Sequence, residues 1–399
     1  MTPLHPLRLV CVSLSLLVAF HLTGAVFAQG ASDAQTQALV RRLQEGDRLV
    51  RLAAAEEIKG LGAKAVAAVP ALTAALKDTD ADLRKVAAEA LGRMGPEARA
   101  AVPALTAALG DGNSSVRSNA AFALGQVGAG AEPAVTTLAG LLKDESPWAR
   151  AAAARALGRI GGSAKASAPA LAGLLKDANE GVRRDAAEAL GRFGPAARES
   201  APALVLSLKD GSASVRKAAA EALGAIGPEA KGAVPALTES LKDPEFVVRM
   251  NAAQALRRIG LVPSEAVPLW IAALGDTSEH IRRYAADALA EIGPEAKAAV
   301  PALTEALKDR DRFVRLSAAK GLGNIGHEAG AAVADLVGLL KDEEPLVRAA
   351  AATALGKFGG DARAALPALG ELQNDPATVV RLAAAEAVNK IASQGAKAR

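Results

Sequence analysis

An aspartate followed six positions later by an arginine recurs every 33 residues along this 399-residue chain. The pair occurs ten times without a change of register, and Arg51 begins the arginine series one period earlier. A fixed period of this length is typical of solenoids, in which each repeat packs only against its neighbours. The aspartates are Asp78, Asp111, Asp144, Asp177, Asp210, Asp243, Asp276, Asp309, Asp342 and Asp375, and the arginines are Arg84, Arg117, Arg150, Arg183, Arg216, Arg249, Arg282, Arg315, Arg348 and Arg381.

Each repeat predicts a pair of short helices. Val69-Pro70-Ala71-Leu72 begins the first helix of a sample repeat, because proline suits a first turn in which its missing N–H has no partner. The second helix follows Asp80 and ends at Gly95, a residue type that commonly terminates helices. Caps are expected at the equivalent positions, which are Asp47, Asn113, Ser146, Asn179, Ser212, Ser278 and Asp311.

Helical spacing divides the second helix into two faces. Leu83, Ala87, Leu91 and Met94 fall on the inward face, and Asp82, Lys85, Glu89 and Arg93 fall on the outward face. A glycine also recurs inside this helix, where it costs about 1 kcal/mol relative to alanine. Because the cost is repeated, we expect the next repeat to approach closely at Gly92, Gly125, Gly158, Gly191, Gly224, Gly323 and Gly356.

Paired helices with this Asp/Arg spacing, followed by Ala-Ala-x-Ala-Leu-Gly-x-Ile-Gly, resemble HEAT repeats, in the alanine-rich form first named from phycobilisome lyases. The resemblance covers about residues 34–392 and implies an all-α, right-handed superhelix of about eleven helix pairs. It also implies that the Asp and Arg residues form a ladder between successive repeats. Arg257 and Ala290 depart from the pattern at the inner glycine, and the end repeats depart at Glu45 and Val388-Asn389.

The domain organisation predicted from the sequence has three parts. Residues 1–28 have a positive start at Arg8, an apolar run from Leu9 and small residues before a cleavage site after Ala28, which is typical of a secretory signal peptide. Residues 29–392 form one uninterrupted array, and residues 393–399 form a polar tail. The alternative is an uncleaved membrane anchor over residues 9–28, since this stretch is just long enough to span a bilayer.

Nothing in the sequence predicts a catalytic, cofactor or metal site. HEAT-type di-iron hydroxylases use several His-Glu pairs, whereas this chain has only His327-Glu328, with His280 as the other histidine of the repeats. The glycine-rich stretch from Gly125 to Gly130 follows no strand, so it does not fit a dinucleotide fold. The 47 basic residues are scattered among 43 acidic ones, which argues against nucleic-acid binding.

Departures from the consensus on the outward face predict where a partner binds. Aromatic residues and arginines are enriched at binding hot spots. The first candidate set is Phe122, Trp148, Arg155, Arg159, Arg184 and Arg192, and the second is Val247, Met250, Gln254, Arg258, Arg283, Tyr284 and Phe313, with Leu316 beside it. The alternative is that Trp148, Val247 and Phe313 only cover the first turn of their helices. Trp270 takes an inner position and is expected in the core.

These observations favour an exported, non-enzymatic scaffold, periplasmic or secreted, that binds a protein partner with an acidic segment on the concave face that second helices line in this family. No cofactor and no nucleic acid are expected, and a membrane is involved only if the N-terminal segment stays uncleaved. Two alternatives stay open. One is a membrane-tethered scaffold, and the other is a lyase- or hydroxylase-like enzyme or its accessory. The sequence leaves the oligomeric state and the identity of the partner open.

Overall fold

The computed structural model describes residues 34–397, with side chains to Ser393, and within this range the chain forms helices and no strands. The predicted signal peptide and membrane anchor lie outside the described residues. Eleven helix pairs fill the range, each with a first and a second helix. The first helices are α1 (34–45), α3 (Val69–Ala75), α5 (Val102–Ala108), α7 (Val135–Leu141), α9 (Ala168–Leu174), α11 (Ala201–Ser207), α13 (Val234–Ser240), α15 (Pro263–Ala273), α17 (Val300–Ala306), α19 (Val333–Leu339) and α21 (Leu366–Glu371). The second helices are α2 (Arg48–Leu61), α4 (Ala81–Met94), α6 (Ser114–Val127), α8 (Pro147–Ile160), α10 (Glu180–Phe193), α12 (Ala213–Ile226), α14 (Phe246–Ile259), α16 (Glu279–Ile292), α18 (Arg312–Ile325), α20 (Pro345–Phe358) and α22 (Thr378–Lys397).

The helix pairs belong to two compact units, which meet in sequence between Ala222 and Leu223. The sequence predicts a single array from 29 to 392, and the repeat pattern does continue without a linker through this point. A solenoid has no single core, because each repeat packs only against its neighbours. The last helix, α22, continues to Lys397, so residues 393–397 of the predicted polar tail extend that helix.

A 3-10 segment joins most second helices to the next first helix, a feature that the sequence pattern did not predict. Each begins at or just after a glycine with positive φ, such as Gly95 at 62°. Alanine or proline follows this glycine in most of the segments, whereas Gly162, His327 and Gly360 follow it in the other three. The segments are Gly62–Ala68, Gly95–Ala101, Gly128–Ala134, Gly162–Ser167, Gly194–Ser200, Gly227–Ala233, Gly293–Ala299, Gly326–Ala332 and Gly359–Ala365.

The core consists of leucine and alanine from the inward faces of both helices. In the sample repeat Leu72, Ala87 and Leu91 are fully buried, and Leu83 and Met94 are 2% exposed. The inward face predicted from helical spacing is therefore correct. Alanine is the commonest residue of this core. Because its side chain is small, neighbouring helices can pack closely.

The recurrent arginine and aspartate form a ladder between successive repeats. Arg84 donates from Nε to Asp111 Oδ2 over 2.7 Å and from Nη2 to Asp111 Oδ1 over 2.9 Å. Its Nη1 donates to the carbonyl of Asp78, 2.9 Å away in its own repeat. The bidentate pairs of this kind within the two units include Arg84–Asp111, Arg117–Asp144, Arg150–Asp177, Arg183–Asp210, Arg249–Asp276, Arg282–Asp309, Arg315–Asp342 and Arg348–Asp375.

The ladder also shapes the turn before each second helix. Asp111 Oδ1 accepts the backbone N–H of Asn113 over 2.8 Å, so one carboxylate binds the preceding repeat and orders its own turn. Asn113 then caps α6 as predicted. Ser146 and Ser278 occupy the same position, but their hydroxyls make no capping bond, contrary to expectation. Their N–H groups still donate to Asp144 and Asp276, which order the turn in their place.

The glycine inside the second helix marks the closest approach between repeats, as predicted. A Cβ added at Gly125 would lie 2.9 Å from Ala156 Cα, and one at Gly158 would lie 2.8 Å from Ala189 Cα. These neighbours are backbone atoms, which cannot move aside as a flexible side chain can. Glycine is therefore required wherever this close spacing is kept.

Arg257 replaces that glycine in α14, and the structure is irregular here. Gly260 takes a left-handed conformation with ψ 62°, no 3-10 segment follows it, and α15 is correspondingly longer. A cleft of about 190 Å³ opens between Arg257, Trp270 and Glu291. The Arg257 side chain is thus accommodated by a local opening between repeats, whereas the smaller Ala290 at the same position of α16 is followed by a regular 3-10 segment.

One described run, Arg48–Ala75, is long and apolar enough to cross a membrane by length and composition alone. It is not one straight helix, because Gly62 takes φ 56° between α2 and the following 3-10 segment. The run joins two successive helix pairs, and its residues Ala54, Ile58 and Leu72 are buried in their core.

The ladder predicts a cost for removing one arginine. Arg117→Ala leaves the Asp144 carboxylate, whose side chain is 9% exposed, without its bidentate partner. We expect the free energy of unfolding to fall by roughly 1–3 kcal/mol, the usual cost of an unsatisfied buried polar group. Urea unfolding measures it. The control is Lys143→Ala, which also removes one positive charge, but from an exposed side chain next to Asp144. It should alter the free energy of unfolding by less than about 0.5 kcal/mol. Equal stability of both variants would contradict a stabilising ladder.

The ladder also predicts a loss of stability in acid. The hydrogen bonds from Arg84, opposed by burial, lower the pKa of Asp111 below its usual value. A carboxylate whose pKa is lowered on folding stabilises the protein fully above its unfolded pKa of about 3.9, and this contribution disappears as pH falls through the folded pKa. The urea midpoint should therefore drop below about pH 4. The urea midpoint of Asp111→Asn should fall less steeply with decreasing pH than that of the parent chain. Parallel falls of the two midpoints would contradict a role of the Asp111 carboxylate in this acid sensitivity.

Candidate partner-binding surface

The outward faces of the second helices carry both predicted residue sets, and each set lies within one compact unit. We call Phe122, Trp148, Arg155, Arg159, Arg184 and Arg192 the Trp148 patch, which lies on α6, α8 and α10. We call Val247, Met250, Gln254, Arg258, Arg283, Tyr284 and Phe313 the Phe313 patch, which lies on α14, α16 and α18.

Part of the Trp148 patch lines a common cleft of about 260 Å³. Phe122, Trp148 and Arg155 meet there, so the structure brings together three residues that are 26 and 7 positions apart in sequence. The Trp148 side chain is 74% exposed. Phe122 is half-buried, because its ring lies against the glycine position of the preceding repeat, where a Cβ at Gly92 would be 2.8 Å from Cε1. The other lining residues are Glu89, Arg93, Ser118, Asn119 and Ala152.

Two of the four arginines are held by a buried carboxylate that the sequence analysis missed. Asp185 is 2% exposed. Arg155 Nε lies 3.1 Å from Asp185 Oδ2, and Arg184 Nη2 lies 2.8 Å from Oδ1. The hydrogen bond to Asp185 raises the pKa of Arg184, which also has Glu188 at 3.8 Å. Asp185 therefore fixes both guanidiniums and cancels part of their charge.

The other two arginines have no such partner. Arg159 donates from Nη1 to the neutral amide oxygen of Gln126, 2.5 Å away. In residues 34–397, no carboxylate lies within 4 Å of Arg159 or Arg192 to form an ion pair. The Arg192 stem packs over α8, where a Cβ at Gly158 would lie 3.2 Å from Cδ. These two exposed guanidiniums supply the uncompensated positive charge of the patch.

The Phe313 patch is arranged differently. Phe313 is 37% exposed and lies between two guanidiniums, with Arg283 at 5.0 Å and Arg312 at 4.8 Å from the ring centroid. Val247 is 45% exposed, Arg258 is exposed, and Met250 and Gln254 are half-buried. Arg283 belongs to the preceding repeat, so Phe313 contacts an adjacent repeat. This contact fits the alternative interpretation, in which Phe313 only covers the first turn of its helix.

Tyr284 lies at the margin of this surface. Its ring meets Trp270 edge-on at 6.0 Å between centroids, and Arg257 lies over it at 5.3 Å. Trp270 is 3% exposed, in line with its predicted core position. Tyr284 is therefore half-buried, and its ring contacts Trp270 and Arg257 of the irregular repeat.

Further exposed apolar residues occupy the same repeat position as Trp148 and were missed from the sequence. Leu49, Leu346 and Val379 stand at multiples of 33 residues from Trp148 and are 70%, 57% and 45% exposed. Leu382, one turn further along α22, is 67% exposed. Their repeat position alone would identify them. Leucine and valine are common throughout this chain, however, so their residue type does not mark them as departures from the consensus.

In the described part of the chain, no group of three or more His, Cys, Asp or Glu side chains is placed to hold a metal ion. The His280 and His327 side chains are 63% and 79% exposed, and neither lines the Trp148 cleft.

The comparisons with known proteins support the repeat architecture. A family model described as HEAT repeats matches residues 36–113, 102–191, 168–257, 267–333 and 300–389. No curated protein matches the chain. An engineered protein of known structure is 25% identical, with a TM-score of 0.51 over 90% of this chain and 99% of its own.

Two importin-type structures are also similar in fold. Importin beta is 16% identical, with a TM-score of 0.57 over 90% of this chain. Kap95p, whose binding induces the switch loops of RanGDP to adopt the GTP-bound conformation, is 15% identical, with a TM-score of 0.55 over 89% of this chain. This chain spans 55% of the length of each. At these identities the likeness concerns the fold alone.

Proposed function

This chain belongs to the HEAT-repeat family, and we propose that it is a non-enzymatic scaffold that binds a protein partner on the outward face of its second helices. The repeats position the second helices within each compact unit, and residues that depart from the consensus supply specificity. Importin beta and Kap95p share this fold, and Kap95p acts on RanGDP by binding to it. A binding role needs no catalytic group.

The observation that carries this proposal is the Trp148 patch. A tryptophan that is 74% exposed stands beside a cleft, next to arginines whose positions are fixed by neighbouring repeats. Tryptophan and arginine are enriched at binding hot spots, and an exposed apolar patch that is rimmed by polar residues is typical of an interaction site. Because Arg155 and Arg184 are already ordered by Asp185, binding would cost little side-chain entropy there.

We further propose that the chain acts outside the cytoplasm. Support comes from residues 1–28, which have the three-part pattern of a secretory signal peptide. The alternative is a scaffold tethered by residues 9–28, whose repeats would bind the same partner at a membrane surface. Both versions use the same recognition face.

The binding role predicts that two exposed substitutions remove partner capture. Trp148→Ala combined with Arg159→Glu deletes the exposed ring and reverses a charge. Arg155 is less suitable, because its loss leaves buried Asp185 with one partner fewer. Capture of the partner from an envelope extract by the immobilised chain should fall at least about tenfold, since a hot-spot tryptophan contributes about 2 kcal/mol or more.

The matched control lies on the first-helix side of the same unit. Leu206→Ala with Arg198→Glu changes a 65% exposed leucine and an exposed arginine in the same way. Captured proteins are identified by mass spectrometry, and circular dichroism checks that both double variants stay folded. Equal capture by the parent and both variants would exclude the Trp148 patch, and selective loss in the control would move the interface to the opposite face.

The location predicts a processed N-terminus. Mass spectrometry of periplasmic or secreted material should find a chain beginning at Gln29, because cleavage is expected after Ala28. A membrane fraction that retains the full-length chain would favour the tethered alternative. Full-length chain recovered only from the cytosol would contradict export.

A further inference from the structure

We infer that the Trp148 patch recognises a two-part protein segment: an apolar side chain seated in the cleft between Phe122 and Trp148, and carboxylates that bind Arg159 and Arg192. This inference rests on the proposed function and specifies the chemistry of the partner. It differs from a general attraction to four arginines, because only two of them, Arg159 and Arg192, have no carboxylate partner among the described residues.

The size of the cleft indicates a single apolar side chain. Its volume of about 260 Å³ is below the roughly 300–1,000 Å³ of pockets that hold drug-sized ligands. The rings of Phe122 and Trp148 form its apolar walls. Asn119 and Ser118 line it too, but both donate to the carbonyl of Ser115, at 2.8 and 3.1 Å. These polar groups are therefore partly satisfied, which leaves the aromatic walls as the main source of affinity.

The charge distribution of the Trp148 patch indicates where the carboxylates of the partner segment bind. Arg155 and Arg184 already share the Asp185 carboxylate, whereas Arg159 has only the neutral Gln126 and Arg192 has no carboxylate within ion-pair distance in the described residues. A guanidinium binds a carboxylate through two parallel hydrogen bonds, which gives the contact direction as well as attraction. Arg159 and Arg192 are thus the sites that can gain most from an acidic partner.

The spacing sets the register of the segment. Trp148, Arg155 and Arg159 lie along α8, so the middle of the cleft is roughly 10 Å from Arg159 at 1.5 Å per residue. Arg192 holds the equivalent position on α10, about 8–10 Å away across the helix packing. An extended chain advances about 3.3 Å per residue. The carboxylates should therefore follow the apolar anchor by about three and six residues.

The surrounding acidic groups disfavour a nucleic acid on the same surface. Exposed aromatic rings and arginines also occur in single-strand binding sites, where bases stack on the rings. Here Glu89 lines the cleft and Glu188 and Asp185 lie beside the arginines. A continuous phosphate backbone would pass these carboxylates, whereas spaced carboxylates on a peptide can avoid them.

The test uses three synthetic peptides with a dye at one end: Phe-Ser-Ser-Glu-Ser-Ser-Glu, the same peptide with both Glu changed to Gln, and the same peptide with Phe changed to Ser. Fluorescence anisotropy measures binding to the full chain. Both altered peptides should bind about tenfold more weakly or worse, since the acidic and apolar contacts each contribute on the order of 1.4 kcal/mol. Increasing salt should weaken only the two peptides that carry Glu.

Matched variants separate this patch from general charge. Arg159→Gln with Arg192→Gln should reduce binding of the acidic peptide about tenfold, to the level of the Gln peptide. Arg99→Gln with Arg198→Gln removes two exposed arginines from the 3-10 segments of the same unit and should leave binding unchanged. Trp148→Ala should lower the affinity of both Phe-containing peptides, because it opens the wall of the cleft.

Three outcomes would overturn the inference. They are equal binding of the Glu and Gln peptides, equal losses in the two double arginine variants, and tighter binding of a labelled single-stranded oligonucleotide than of the acidic peptide. None of these tests the scaffold role itself. Trp148-dependent capture of a natural partner would still support the proposed function if the acidic register failed.

Discussion

The bidentate contact between an arginine of one repeat and an aspartate of the next is the interaction on which the rest of this structure depends. The same aspartate binds the preceding repeat through both carboxylate oxygens and orders its own turn through a backbone N–H, as Asp111 does with Arg84 and Asn113. This contact therefore fixes the position of each repeat against its neighbour at the start of the second helix. The inner glycine allows close packing near the end of the same helix. Together these contacts fix where the outward side chains of successive second helices stand relative to one another within each compact unit.

In such a scaffold, the residues that depart from the repeat consensus provide the binding specificity. At position 185 most repeats carry a small residue, and an aspartate there orients Arg155 and Arg184. At position 257 an arginine replaces the inner glycine, and a cleft opens beside Trp270. The first change produces ordered charge on an otherwise ordinary face, and the second disturbs packing. Tyr284, a member of the Phe313 patch, is half-buried and contacts Trp270 and Arg257 of this irregular repeat.

The 33-residue register was enough to predict the helix pairs, the inward face and the need for glycine at Gly92 and its equivalents, because these follow from one repeated pattern. The 3-10 segments escaped prediction, since Gly95–Ala101 and its counterparts have no apolar periodicity. Ser146 looked like a cap, but Asp144 orders its turn. The Arg155–Asp185 contact could not be foreseen either, because it depends on side-chain conformations across a helix interface. Leu346 and Val379 share the repeat position of Trp148, but only their exposure in the structure distinguishes them from the many buried leucines and valines.

The most direct measurement of the central claim, that the outward face of the second helices is the recognition surface, is site-specific photo-crosslinking in the intact cell. A photoreactive amino acid is placed at Trp148 in one strain and at Leu206, a 65% exposed position of a first helix in the same unit, in another. The account predicts a discrete crosslinked protein from position 148 and none from position 206. Adducts from position 206 alone, or the same adducts from both positions, would contradict it.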